Sequence, residues 1–286
     1  MNNTPQKKII VVCAVSLLFA ASFSMVSAAE GTPAVQKALE DTKAYIDDLV
    51  TAKDDSESNS LLLKVETFRQ VLDLSSAETK DLEFKLLTVE RDARFEAWRR
   101  GALERLTQAL AYYDSKREAL IDRGSLTADK VVNLAKDFKI WRDAEYVPLV
   151  NQVQDYILIK QEEKAVQTAE KRFQKVSENL TALGIGSDNK TISKYLAKAK
   201  ASIAIASDLN KQAEDLFVSL YVTATSTPSA DSSSSASSIQ EETATSTPSS
   251  PPPTSIKDLV KASLDEIKSA YQSFIDISGL VRKLLK

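Results

Sequence analysis

Apolar residues recur along most of this chain at three- and four-residue intervals, the spacing that lines one face of an α-helix. Thr32 and Pro33 read as N-cap and first helical residue, followed by Val35, Leu39, Thr42, Ile46 and Leu49 on one face. That helix is expected to end near Asp54, before the polar run Asp55–Ser60. A second stretch over 59–74 carries Leu61, Leu62, Val65, Phe68 and Leu72. Ser75 and Glu78 have capping-box spacing, which predicts a fresh start and a helix over 76–123, roughly 70 Å long at 1.5 Å per residue. Its stripe runs through Leu82, Leu86, Val89 and Ala93 to Leu103, Leu106, Leu110, Tyr113 and Leu120, with Gly124 as a left-handed C-cap.

Thr127 caps a further helix over 128–183, in which Pro148 predicts a kink or a short break. Val166, Ala169, Phe173, Val176, Leu180 and Leu183 then repeat strictly until Gly184 and Gly186. The short connection at Arg123–Thr127 makes the two long helices antiparallel neighbours. Residues 191–222 place Ile192, Leu196, Ala199, Ile203, Ala206, Leu209, Ala213 and Leu216 on a narrow, heptad-like seam, whose alanines favour close helix approach.

The pattern stops at 223–255, where Ser, Thr and Pro dominate and Thr-Ala-Thr-Ser-Thr-Pro-Ser occurs at both Thr223 and Thr243. So polar a segment buries too little surface to offset its ordering entropy and is expected to be a disordered linker. Periodicity returns with Ser255 and Asp258 in capping-box spacing and Val260, Ile267, Phe274 and Val281 at sevens, flanked by Leu264 and Tyr271. This amphipathic helix over 256–286 needs something to cover its apolar face: the bundle, its own copy, a protein partner or a membrane surface. Val260, Leu264, Ile267, Tyr271, Phe274 and Val281 are therefore the candidate partner-binding residues.

Composition narrows the chemistry. With 43% hydrophobic and 27% charged residues but only six glycines, the chain suits long helices. It contains no histidine, and Cys13 is its single cysteine. Imidazole acid–base catalysis, thiol nucleophiles, disulfides and Cys/His metal sites are thereby removed from consideration. Cys13 lies in a targeting segment: Lys7 and Lys8 form a positive n-region, Ile9–Phe23 an apolar h-region, and Val26-Ser27-Ala28 a small-residue cleavage site. Residues 1–28 thus read as a signal peptide, and the mature protein as periplasmic, cell-surface or extracellular. An uncleaved segment would instead anchor it in a membrane.

The remaining candidates have bland explanations. Arg91, Arg94, Arg99, Arg100 and Arg105 surround Phe95 and Trp98, a mixture that can serve nucleic acids. Glu90, Asp92, Glu96 and Glu104 nearly cancel it, and pairs such as Glu90–Arg94 and Glu96–Arg100 suit an exposed salt-bridged face. Net charge is −3, a poor match to nucleic acid. Phe95, Trp98, Phe138 and Trp141 read as shared core rather than a ligand groove. The carboxylate pairs Asp47-Asp48, Asp54-Asp55, Glu162-Glu163 and Glu241-Glu242 consist of adjacent residues that do not face one cleft, and no loop has calcium-site spacing.

The expectation is an all-α protein: an elongated antiparallel helical bundle over 29–222 with coiled-coil-like packing, the linker 223–255, and the terminal helix. No catalytic residue, metal ligand or cofactor is assigned. The function that follows is that of an exported, non-enzymatic scaffold or adaptor acting through helix–helix packing or self-association. A membrane-associated protein held by its N-terminal anchor or terminal helix is one alternative, and a carboxylate-dependent envelope hydrolase another.

Overall fold

The computed structural model describes residues 32–51, 57–121, 126–185, 189–223 and 255–284, and these are helical with short connections. The predicted signal peptide, the Gly124 cap, Asp54-Asp55, Glu241-Glu242 and nearly all of the predicted linker lie outside them. Seven α-helices are described: α1 (Pro33–Thr51), α2 (Glu57–Thr88), α3 (Glu96–Ala119), α4 (Ala128–Trp141), α5 (Val147–Ala182), α6 (Lys190–Phe217) and α7 (Ile256–Leu284). The chain divides into two compact units, one of residues up to 153 without 89–91, the other of 89–91 and 154 onward.

In the first unit α2 is the central element. It runs antiparallel to α1, with the Thr42 hydroxyl donating to the Gln70 carbonyl at 3.2 Å. It is antiparallel to α3, where Arg117 meets Asp73 at 2.8 Å and Arg99 reaches the carbonyl of Leu86 at 3.1 Å. It is parallel to α4, where the Phe68 and Phe138 rings meet edge-on at 5.8 Å. Leu72, Leu86, Leu106 and Tyr113 are fully enclosed.

Local chemistry sets the helix ends, and three of them depart from the pattern expected above. The Ser75/Glu78 box does not start a helix, because α2 runs straight through it. The Ser76 hydroxyl donates back to Leu72 O at 2.9 Å and Thr79 to Ser75 O at 2.8 Å, as hydroxyls do in a helix interior. The expected 76–123 helix breaks instead at 89–92. There Asp92, extended at φ −125°, accepts from Arg94 N at 3.0 Å and starts a 3-10 turn, Ala93–Phe95, leading into α3. The helical run is continuous from 128 to 182, and no break occurs at Pro148, the second residue of α5. A π-turn at Arg142–Tyr146 precedes it, the Val147 N–H bonding five residues back to Arg142 O, so the helix continues past a residue with no amide proton.

Other ends follow the residues as read. Thr127 accepts from Lys130 N at 3.3 Å, and Asn189 accepts from Thr191 N and Ile192 N at 3.0 and 3.2 Å. Gly184 at φ +66° closes α5 in a Schellman motif. In it Ile185 N bonds Leu180 O at 3.1 Å and Gly184 N bonds Thr181 O at 3.0 Å.

The second unit is a three-helix bundle of α5, α6 and α7. Helix α6 is antiparallel to α5, Lys160 meeting Glu214 and Tyr156 packing on Phe217. Helix α7 is antiparallel to α6, Ser263 lying against Ala206 and Ser202 against Ser269. It is parallel to α5, with Ser263 on Glu162 and Arg172 over Tyr271. The alanine seam of α6 does permit close approach: Ala199, Ala206 and Ala213 are fully buried, the first two in one core with Val166, Ala169, Ile267, Ala270 and Phe274.

Candidate functional site

Two regions gather the polar and aromatic side chains that carry chemistry. In the first unit α2 supplies Ser75, Glu78 and Thr79 from one face, α3 supplies Tyr112 and Tyr113, and the end of α4 with its π-turn supplies Trp141, Arg142 and Tyr146. Arg142 and Tyr146, four residues apart, share one face of the turn, and both are buried. Arg142 lies 3.5 Å from the Glu78 carboxylate and donates to the Ser75 hydroxyl at 3.3 Å. The Tyr146 phenol lies 2.8 Å from the Thr79 hydroxyl, and the Tyr113 phenol 3.5 Å from it. Burial pushes the Glu78 carboxyl up, with Arg142 opposing, and pushes Tyr113 up to about 12. Tyr146 moves the same way for the same reason. Phenols held this high stay protonated hydrogen-bond donors and do not serve as bases near neutral pH.

A column of rings extends from this cluster to the surface. Tyr112 stacks on Trp141 at 4.0 Å and 22°, and Trp141 on Tyr146 at 6.1 Å and 21°. Lys116 lies 5.0 Å over Tyr112 and Arg142 5.3 Å over Tyr146, so a cation sits at each end. The stack floors an open groove of about 280 Å³, with Arg105, Gln108 and Glu145 among its lining residues. Trp141 is half-buried and belongs both to core and groove, whereas Phe95 and Phe138 are fully core. A second groove of about 440 Å³ is lined by Asp73, Ser76, Lys80, Asp81, Phe84 and Arg117 among others. Its guanidinium is already engaged with Asp73, Asp114, Ser76 Oγ at 2.6 Å and Leu72 O at 3.1 Å.

The arginine cluster is not one exposed face. Arg99 is 3% exposed, and besides Leu86 O it donates to Leu87 O at 3.4 Å, serving carbonyls at the end of α2. Pairing also differs from the spacing-based expectation: Arg94 binds Asp92 at 2.8 Å, and Glu96 lies 3.5 Å from Arg99.

In the second unit the predicted partner-binding residues separate into three groups. Ile267 and Phe274 are buried against α5 and α6 of the same chain, and Val260 is buried as well. Tyr271 and Val281 are half-buried at the edges of that packing, and Leu264 is exposed. Sequence reasoning passed over Ser263, Ala270 and Ser273, which are fully enclosed beside them. The signal lies in the sequence, since 263, 270 and 277 repeat at sevens, but small residues at 263 and 270 leave no apolar stripe to mark it.

Ser263 marks a polar layer in this seam. Its hydroxyl lies 2.5 Å from Glu162 Oε1 and 2.9 Å from Ala206 O, yet carries one proton for two acceptors. A protonated Glu162 resolves the shortage by donating to Ser263 Oγ and freeing the hydroxyl proton for the carbonyl. The direction agrees, because burial raises the Glu162 carboxyl. Its neighbour Glu163 turns away to Lys160 at 2.8 Å, so the two carboxylates do not converge. Among the described residues no group of three or more carboxylates is placed to hold a metal ion. No protein-family model matches the chain, and no curated protein or solved structure is significantly similar to it.

Proposed function

We propose that this is an exported, non-enzymatic interaction protein that works through helix packing and contact at its outer surface. One observation carries the reading: among the described residues, the polar clusters inside the two units are largely buried and engage one another. Arg142 holds Glu78 and Ser75, Thr79 meets two phenols, Lys160 binds Glu163 and Glu214, and Glu162 meets Ser263. Such networks fix helix register and do not present an acid and a base to a substrate.

The outward features are of another kind. The Tyr112–Trp141 edge is rimmed by Arg105, Gln108 and Glu145, the aromatic-plus-polar composition of protein contact surfaces. It is an open groove at the surface rather than an enclosed cavity, a form that suits contact with a protein partner. Export rests on the Lys7/Lys8, Ile9–Phe23 and Val26-Ser27-Ala28 pattern alone. Among the described residues no helix is long and apolar enough to cross a membrane.

Lysine-directed crosslinking of the native exported protein, read by mass spectrometry, tests the proposal. Crosslinks to another protein at Lys116, Lys136 and Lys139, which flank the aromatic edge in sequence, are expected. Crosslinks confined to the chain itself would overturn it.

A further inference from the structure

Helix α7 is the third wall of the second unit, yet its connection is far longer than its position requires. Because α6 and α7 are antiparallel, the end of α6 and the start of α7 lie at the same end of the bundle. Tyr221 binds Asp155 of α5 at 3.3 Å, and the Lys257 charge acts on that same carboxylate. Helix–helix connections of this kind need about 2–8 residues. Here residues 224–254, about 30 in number and mostly Ser, Thr and Pro, lie between Thr223 and Ser255. Fully extended, a chain of that length spans roughly 100 Å, several times the width of a three-helix bundle.

The seam itself is self-contained. Ile267, Ala270, Phe274 and Ile277 enter the groove between α5 and α6, Leu259 and Val260 are buried on the same helix, and Ser263 on Glu162 fixes the register. Any copy of α7 would make the same contacts in any copy of the groove. Exchange between two chains therefore sacrifices no packing, and the balance is set by the effective concentration of the tethered helix against that of free protein. For a connector of that length the former is on the order of millimolar, so exchange favours crowded copies, as on a surface or in a layer.

We propose that the α5–α6 groove accepts α7 from a second copy of this chain as well as its own, making α7 an exchangeable link between molecules. The inference rests on the reading of the protein as one that acts by helix packing, and names the partner at this groove. Failure of exchange would leave the crosslinks at the aromatic edge as a separate test of that reading.

The facing hydroxyls of Ser202 on α6 and Ser269 on α7, 3.3 Å apart, provide the experiment. Full-length chains carrying Cys13→Ser and either Ser202→Cys or Ser269→Cys are purified, mixed and oxidised. Each chain then holds one thiol, and exchange of α7 brings the Ser202→Cys and Ser269→Cys thiols of two molecules together in the seam, whereas chance collision gives no more dimer in the mixture than in the separate variants. A double variant with both substitutions in one chain reports the intramolecular geometry.

The expected result is a covalent heterodimer several-fold above either variant oxidised alone, rising with protein concentration and lost when Ile267→Asp and Phe274→Asp are added to the Ser269→Cys chain. The proposal is overturned if the mixture gives no more dimer than the separate variants while the double variant closes efficiently. It falls equally if the double variant fails to close, since the seam would then be misplaced, or if the aspartate substitutions leave the heterodimer unchanged.

Discussion

Replacing Arg99 with alanine tests how the break between α2 and α3 is held. The last carbonyls of a helix lack intrahelical partners and must be satisfied from elsewhere. Arg99 does this from the first turns of α3, its Nε on Leu86 O at 3.1 Å and Nη2 on Leu87 O at 3.4 Å. Its side chain is almost wholly buried. Hydrogen bonds from a charged donor contribute roughly 1.5–3 kcal/mol each, the longer one less, and the buried stem adds packing. Arg99→Ala is therefore expected to lower stability by about 2–4 kcal/mol, against about 0.5 kcal/mol or less for Arg100→Ala at the exposed neighbouring position. Arg99→Lys should fall between, because an ammonium keeps the charge but donates from a single nitrogen, where Arg99 uses two. Urea unfolding followed by circular dichroism, with the slope checked for constancy, measures the difference. Equal midpoints for the Arg99→Ala and Arg100→Ala proteins would refute the capping role.

Leu106→Asp, in the enclosed centre of α3, should cost about 3 kcal/mol or more in the same assay, since the carboxylate has no buried partner; a shift as small as that of Arg100→Ala would mean the helix face is wrongly assigned. Burial raises the carboxyls of Glu78, Asp155 and Glu162, so their protonated forms are favoured on folding. Their contribution is greatest below the ordinary carboxylate range and is lost as pH rises through the raised folded values. The Glu162→Gln protein should show a shallower loss over that window, and parallel pH profiles for it and the wild type would contradict the assignment. N-terminal sequencing of the exported protein should begin near Ala29; a retained Met1 would reject cleavage after Ala28.

Much of the architecture was legible because it is written in local chemistry. The helical stripes, the Thr127 and Ser255 caps and the Gly184 terminus each depend on residues within one turn of one another. What escaped depends on distant partners. Ser75 and Glu78 have the spacing of a cap, but Arg142, more than sixty residues away, gives both a different task inside the core. Arg99 looks like any arginine beside glutamates until the chain folds the end of α2 onto it. The π-turn leaves no periodic trace in so short a stretch, and Pro148 alone announced only that something must yield. The face of α7 was readable as apolar, but its occupant was not, because an amphipathic pattern specifies what must be covered and leaves open what covers it.

The claim that α7 is the third wall of the second unit, held there by packing rather than by its connection, has a direct test in hydrogen exchange. Full-length protein and a chain ending at Thr223 are compared amide by amide. Without α7, protection is expected to collapse along α6 and the matching part of α5, around 160–180, while α2 and α3 keep theirs. Unchanged protection in α5 and α6 would show that the two helices stand without α7 and would contradict the account.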